Sequence, residues 1–193
     1  MTMVEQLAEF VVRASFDELS AVARDRLKIR ILDSLGCAVG ALKGGPTQLI
    51  RAQTQDFGGA DHCTLIGGGR TAPDRAAFYN TALVRYLDFN DSFLASGETC
   101  HPSDNFGSIL AAAEYAGLGG SELLTALAVA YQVQCRLSEV APVPTKGFDH
   151  TTQGAYAVAA GVSKALGLSQ EQAANAIAIA RLNRNASPDQ SRS

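Results

Sequence analysis

Residues 106–140, FGSILAAAEYAGLGGSELLTALAVAYQVQCRLSEV, decide the fold class. Two long apolar runs rich in alanine flank the glycines of residues 117–120. Alanine has the highest helix propensity and lets helices pack closely, and it is the commonest residue in the chain, at 32 of 193. The stretch therefore predicts two packed helices, over about 106–117 and 121–140, the second capped by Ser121.

The rest of the chain repeats this pattern. Apolar spacing and cap residues predict six further helices, over about 4–13, 15–41, 46–58, 73–86, 153–166 and 169–180. The capping boxes Ser15-Phe16-Asp17-Glu18 and Ser169-Gln170-Glu171-Gln172 are expected to start two of them. Residues 62–66, before a glycine triplet, give the one strand signal. Since strands and helices do not alternate, we predict an all-α helical bundle with at most one short β segment.

Composition excludes several function classes. The net charge of −3 and the absence of a basic run argue against a nucleic-acid binder. The longest charge-free apolar stretch, 123–135, is 13 residues long, whereas a membrane-spanning helix needs about 20. The four cysteines are widely spaced, and the first ten residues lack an export signal. We therefore predict a cytoplasmic protein with reduced thiols and no membrane contact.

Candidate chemistry lies in two polar segments, 88–105 and 146–153, which hold two of the three histidines, His101 and His150. Paired imidazoles can act as base and acid near neutral pH, and a buried aspartate such as Asp88 could fix one histidine tautomer. The alternative is that the polar side chains only cap helices. Spacing alone leaves both interpretations open. A metal site including Cys100 is disfavoured, because adjacent Cys and His side chains are poorly placed as ligands.

The same segments carry a family resemblance. YLDFNDSF (86–93) and GETCHPSDN (97–105) resemble the signature of the MmgE/PrpD family, which includes 2-methylcitrate dehydratases and cis-aconitate decarboxylases. The resemblance extends to RLKIRILDSLGCAVG (26–40), TAPDRAAFYN (71–80) and GFDHTTQGAYAVAAGVSKALGLS (147–169), and covers about residues 1–180. HPSDN is more similar to the dehydratase branch.

The resemblance implies a helical domain joined to an α+β lid, a homodimer, and no metal or organic cofactor. It also implies a carbon–oxygen lyase that dehydrates 2-methylcitrate- or citrate-type tricarboxylates, as in propionate catabolism. A decarboxylase or epimerase of a related acid is an alternative. We predict that catalysis falls to His101, Asp88 and His150, and that the substrate is bound by Asp91, Ser92, Ser103 and Lys146.

The chain also departs from the family. Family members are more than twice as long and continue into a lysine-bearing segment and the lid. In their place stand residues 181–193, RLNRNASPDQSRS, which predict a disordered, non-family tail after a truncated domain of residues 1–180. Residues 76–180 carry nine acids against four bases, so the lost part is expected to hold the cations for the substrate. The alternative function is a non-catalytic helical module that dimerises or associates with another chain.

Overall fold

The computed structural model describes residues 1–180, which form an all-α bundle. Its eight α-helices are α1 Met3–Arg13, α2 Ala21–Gly40, α3 Gly45–Phe57, α4 Pro73–Tyr86, α5 Phe106–Tyr115, α6 Gly120–Val140, α7 Thr151–Ala165 and α8 Gln170–Ala180. Two small antiparallel hairpins accompany them, β1 Cys63–Thr64 with β2 Arg70–Thr71 and β3 Phe93–Ala95 with β4 Glu98–Cys100. The predicted fold class is confirmed. The tail expected over residues 181–193 lies outside the described residues.

Small residues bring the central helices together, as the alanine content predicts. Helix α7 packs on α6 and α5, and α4 packs on α5. A Cβ atom on Gly161 of α7 would lie 2.7 Å from the Ile109 side chain and 3.0 Å from the Ala130 Cβ. Gly107 of α5 lies so close to the main chain of Thr81 in α4 that an added Cβ would overlap its nitrogen. Close helix packing in the core therefore depends on these two glycines.

One predicted helix start is wrong. The Ser15–Glu18 capping box forms, but it encloses only a three-residue 3-10 turn, Phe16–Glu18. Helix α2 starts at Ala21, where the Ser20 hydroxyl accepts a hydrogen bond from the Ala23 N–H. Leu19 adopts an extended conformation and ends the turn, so a second cap is needed to start the long helix. Ser121 likewise is not a cap, because α6 begins one residue earlier, after Gly119.

The second hairpin was not anticipated, since residues 88–105 are polar and do not alternate. Phe93 pairs with Cys100, and the turn uses Gly97 at a φ of +90°, a conformation that favours glycine. Glu98 anchors the hairpin to α7, because its buried carboxylate accepts a 2.8 Å hydrogen bond from the Gln153 amide. This register places Ser92, just before β3, beside His101, just after β4.

In the described part of the chain, none of the helices combines the length and apolar character needed to cross a membrane.

Candidate active site

His101 is held by the main chain of the preceding segment. Its Nδ1 lies 2.8 Å from the Asp91 carbonyl oxygen and 3.4 Å from the Ser92 hydroxyl. A carbonyl oxygen only accepts hydrogen bonds, so Nδ1 must carry a proton to donate to it. In the neutral ring the lone pair is then on Nε2. The contact leaves His101 with a nitrogen that can accept a proton from another molecule.

The Asp91 carboxylate fixes the loop that carries His101. Its Oδ1 accepts a 3.0 Å hydrogen bond from the Ser103 N–H, and its Oδ2 accepts a 2.8 Å bond from the Tyr131 hydroxyl. Arg30 of α2 lies 3.8 Å from Oδ2. Burial, together with the nearby Asp91 charge, raises the pKa of Tyr131 well above its usual range, so this phenol remains a donor. Both Asp91 oxygens are thus used within the protein.

His150 lies next to His101, so the fold brings the two polar segments together. The two rings meet edge to face, with centroids 5.4 Å apart and an interplanar angle of 71°. His150 occupies the N-cap position of α7 and is half-buried. Its Nδ1 is 3.1 Å from Asp149 Oδ1, and its Nε2 is 3.9 Å from Asp104 Oδ2. Each ring nitrogen of His150 therefore faces a carboxylate.

Asp104 is the acidic residue at the centre of the cluster. Its Oδ1 accepts a 2.9 Å hydrogen bond from Asn90, and its Oδ2 lies 3.8 Å from Arg85 Nε as well as near His150. Burial raises the pKa of the Asp104 carboxyl, although Arg85 and the two histidines act in the opposite direction. Sequence reasoning placed Asp104 in the polar segment but did not select it as a site residue.

Asp88 is exposed, contrary to the expectation of a buried aspartate. Its side chain is 72% accessible and pairs with Arg85, whose hydrogen bond and charge lower the pKa of the carboxyl. Its main chain has a φ of +56°, which is unusual for a residue other than glycine. The contact that sets the His101 tautomer comes from the Asp91 carbonyl instead. Asp88 acts on the cluster mainly through Arg85, and its charge also interacts with His101.

The predicted substrate-binding residues divide by exposure. Ser92 and Lys146 are exposed, and the Lys146 side chain forms no ion pair within residues 1–180. Asp91 and Ser103 are buried, and the Ser103 hydroxyl accepts a 2.9 Å hydrogen bond from the Asn90 amide. Only the exposed pair could meet a substrate without rearrangement of the loop.

Several residues that build this cluster carry no local sequence signal. Tyr131 is 40 residues from Asp91 along the chain and lies in an ordinary apolar helix. Arg30 and Arg85 have the same appearance as other helical surface arginines. Asn90 and Asp104 could have been predicted as site residues, because Asn90 lies in the first quoted signature segment and Asp104 in the second.

The Cys100 thiol contacts Cys135 and is not part of the histidine cluster. It is fully buried, and a hydrogen bond from the Cys135 thiol lowers the pKa of its own thiol. Within residues 1–180, no group of three or more His, Cys, Asp or Glu side chains is arranged to hold a metal ion.

A cavity of about 610 Å³ lies outside the cluster, between α1, α2 and α6. Its walls are mainly apolar and include Leu19, Leu27 and Phe93, and neither His101 nor His150 lines it. Its wall includes Tyr131, whose hydroxyl binds Asp91. The chemistry of the two histidines therefore belongs to a different surface from the cavity.

Comparison with known proteins supplies a family and relatives. The MmgE/PrpD N-terminal domain matches residues 5–192. A mitochondrial 2-methylcitrate dehydratase of Yarrowia lipolytica is 34% identical over 191 residues, covering 92% of this chain and 36% of the relative. The 2-methylcitrate dehydratase of Escherichia coli K12 is 32% identical, with 86% and 37% covered. A fungal alkylcitrate dehydratase is 28% identical, with 90% and 40% covered. The chain thus spans less than half the length of these relatives.

Proposed function

Because this chain belongs to the MmgE/PrpD family, we propose that it provides the N-terminal helical part of a hydro-lyase that dehydrates 2-methylcitrate-type tricarboxylates. Dehydration needs a base that removes a proton from carbon and an acid that protonates the departing hydroxyl. Both roles can be filled by side chains of the His101–His150 cluster, without a role for the 610 Å³ cavity.

The observation that carries the proposal is the lone pair that the Asp91 contact leaves on Nε2 of His101. Its Nδ1 is committed to the Asp91 carbonyl at 2.8 Å, which directs the lone pair to Nε2. Both nitrogens of His150 face carboxylates, at 3.1 and 3.9 Å. We therefore assign proton removal to His101 and place His150 on the acid side of the reaction.

Supporting roles follow from exposure. Ser92 and Lys146 are the predicted contacts that remain accessible to a substrate, whereas Asp91 and Ser103 hold the His101 loop. Asp88 keeps Arg85 in place beside Asp104. A tricarboxylate brings about three negative charges that need paired cations. Since residues 76–180 carry nine acids against four bases, the proposal assigns most of those cations to the part of the relatives that this chain does not match.

The test is turnover of 2-methylcitrate and citrate by the 193-residue chain, followed as the vinylic product by proton NMR. The matched variants are His101→Ala and His62→Ala, because His62 is exposed and packs on Tyr115 away from the cluster. Turnover that is lost in the first variant and kept in the second supports the assignment. A folded wild-type chain without turnover shows that residues 1–193 alone are not a dehydratase, and an active His101→Ala variant refutes the role of His101.

A second candidate is a non-catalytic module that forms a homodimer, and one exposed surface favours it. Val22, Ile29, Leu32 and Val39 of α2 are 52–71% accessible, and their spacing puts them within about 100° of helix arc. Exposed apolar side chains gathered on one side of a helix, here with the exposed Asp25 among them, are typical of a surface that another chain covers.

Light scattering after gel filtration tests the homodimer. We expect a dimeric wild-type chain and a monomeric Leu32→Glu variant. Gln132→Glu adds the same charge at an exposed position of α6 and should remain dimeric. A monomeric wild type, or a dimeric Leu32→Glu variant, refutes the interface.

A further inference from the structure

One oxygen of Glu98 closes the base of the α6–α7 segment, residues 141–153. Glu98 Oε2 accepts a 2.8 Å hydrogen bond from the Gln153 side-chain amide and a longer one, of 3.4 Å, from the Val143 N–H. The same Gln153 amide nitrogen also donates to the Ala141 carbonyl oxygen, at 3.1 Å. These three bonds join the two ends of the segment to each other and, through Glu98, to β4.

The turn inside this segment is built on Val143. The Val143 carbonyl oxygen accepts hydrogen bonds from the N–H groups of Lys146 and Phe148, at 2.9 and 3.3 Å. Such local bonds fix the shape of a turn but do not fix its place in the molecule. The bond from the Val143 N–H to Glu98 ties the turn to β4. Glu98 therefore contacts the segment at its start as well as at its end.

Both candidate histidines lie close to this bonded pair along the chain. His101 follows Glu98 by three residues, directly after β4, and His150 precedes Gln153 by three residues, at the N-cap position of α7. The Glu98–Gln153 bond thus links the two segments that carry the rings. A hydrogen bond so near to both histidines limits how far the rings can move from their centroid distance of 5.4 Å.

The bonded pair is shielded from water. Glu98 and Gln153 are both buried, so water does not replace a hydrogen bond that is lost there. A substitution that removes the acceptor leaves the Gln153 amide without this partner in the interior, which is unfavourable. Because the Glu98 carboxyl is enclosed, its effect on a reaction at the surface must pass through the segments that it holds.

We propose that Glu98 is a positioning residue of the candidate active site, whose Oε2 atom holds the α6–α7 segment against β4 and so keeps His150 beside His101. Glu98 itself does not meet the substrate. The part that the two histidines play in dehydration rests on the proposed function. The positioning rests on the hydrogen bonds of Glu98 alone.

Three substitutions of Glu98 separate the reach of the side chain from its charge. In residues 1–180, Oε2 accepts both hydrogen bonds, whereas the buried Oε1 has no hydrogen-bond partner. Glu98→Gln keeps one acceptor oxygen at the same distance from the main chain, so it should keep both bonds. Glu98→Ala removes the acceptor. Glu98→Asp keeps the charge but is one methylene shorter, so both of these variants should release the segment.

The experiment is NMR of the 193-residue chain, with the nuclear Overhauser cross-peak between the ring protons of His101 and His150 as the readout. The chain has three histidines, so the ring signals are few, and no substrate is needed. We expect the cross-peak in the wild-type chain and in Glu98→Gln, and its loss in Glu98→Ala and Glu98→Asp. Circular dichroism checks that each variant keeps the helical content of wild type. If Glu98→Ala does not fold, the milder Glu98→Asp variant decides the test.

Glu114→Ala is the matched control, because Glu114 ties the other hairpin to α5. Its two oxygens accept hydrogen bonds from the N–H and the hydroxyl of Thr64, at 2.7 and 2.6 Å. This variant should keep the cross-peak. A cross-peak that persists in a folded Glu98→Asp variant, or that is lost in Glu98→Gln or Glu114→Ala, would overturn the proposal. A cross-peak that depends on Glu98 in a chain without turnover supports the positioning role and counts only against dehydration by residues 1–193 alone.

Discussion

Replacement of Tyr131 by Phe should destabilise the chain by about 1.5–3 kcal/mol, the usual contribution of a hydrogen bond to a charged group. The Tyr131 hydroxyl lies 2.8 Å from Asp91 Oδ2, and the Asp91 carboxylate is almost fully buried. The variant removes one oxygen atom without changing the packing of the ring. Among residues 1–180, Oδ2 then keeps only the more distant Arg30, at 3.8 Å.

The assay is urea unfolding followed by far-UV circular dichroism, with the free energy of unfolding extrapolated to water. Tyr156→Phe is the matched control, because this ring packs against the core from α7 while its hydroxyl makes no hydrogen bond in the described structure. We expect the free energy of unfolding of the control to lie within about 0.5 kcal/mol of the wild-type value. If Tyr131→Phe is equally stable, the Tyr131–Asp91 contact does not hold the His101 loop.

Three further predictions concern stability. Burial raises the pKa of Glu98 above its ordinary value of 4.5. Between the unfolded and the folded pKa of Glu98 the folded chain therefore binds more protons than the unfolded chain. The free energy of unfolding should fall as the pH rises through this range. Glu98→Gln should therefore be more stable than wild type at pH 7 and lose that advantage below about pH 4. Urea unfolding at a series of pH values measures the difference. A difference in unfolding free energy that does not change with pH would contradict the prediction. Gly107→Ala should cost about 1–3 kcal/mol, because the added methyl overlaps the Thr81 main chain. Gly36→Ala, where nothing lies within 4 Å of the added methyl, should instead stabilise α2 by about 0.5–1 kcal/mol; thermal unfolding of both variants checks the opposite signs.

The helices could be predicted because their signals are local. Alanine-rich apolar runs and the Ser169 cap are read within a few residues, and the cap forms as expected, with Gln172 N–H and Ser169 Oγ 3.3 Å apart. The Ser15 capping box shows the limit of such signals, because it forms around a single 3-10 turn and does not start the long helix. The β3–β4 hairpin was missed because its anchor, the Glu98–Gln153 hydrogen bond, joins residues 55 positions apart.

The sequence predicted that His101 and His150 belong to one cluster, but it did not predict the residues that hold them in place. His101 and His150 were selected because both lie in polar segments beside apolar helices, and the fold places their rings 5.4 Å apart. The aspartate that organises the loop could not be chosen from spacing. Asp88 and Asp91 occur in the same signature, and only the tertiary contacts of Tyr131 and Ser103 separate the buried one from the exposed one.

The oxygen that orients His101 belongs to the peptide bond after Asp91, and this has a consequence for genetics. All twenty amino acids supply that atom, so no codon change at position 91 deletes it. A mutational scan there would report only on the carboxylate and would assign no importance to the hydrogen bond at 2.8 Å. The bond becomes visible when the amide between residues 91 and 92 is replaced by an ester, whose carbonyl is a weaker acceptor. The orientation of the His101 ring therefore depends partly on the path of the backbone, which selection on single side chains does not change.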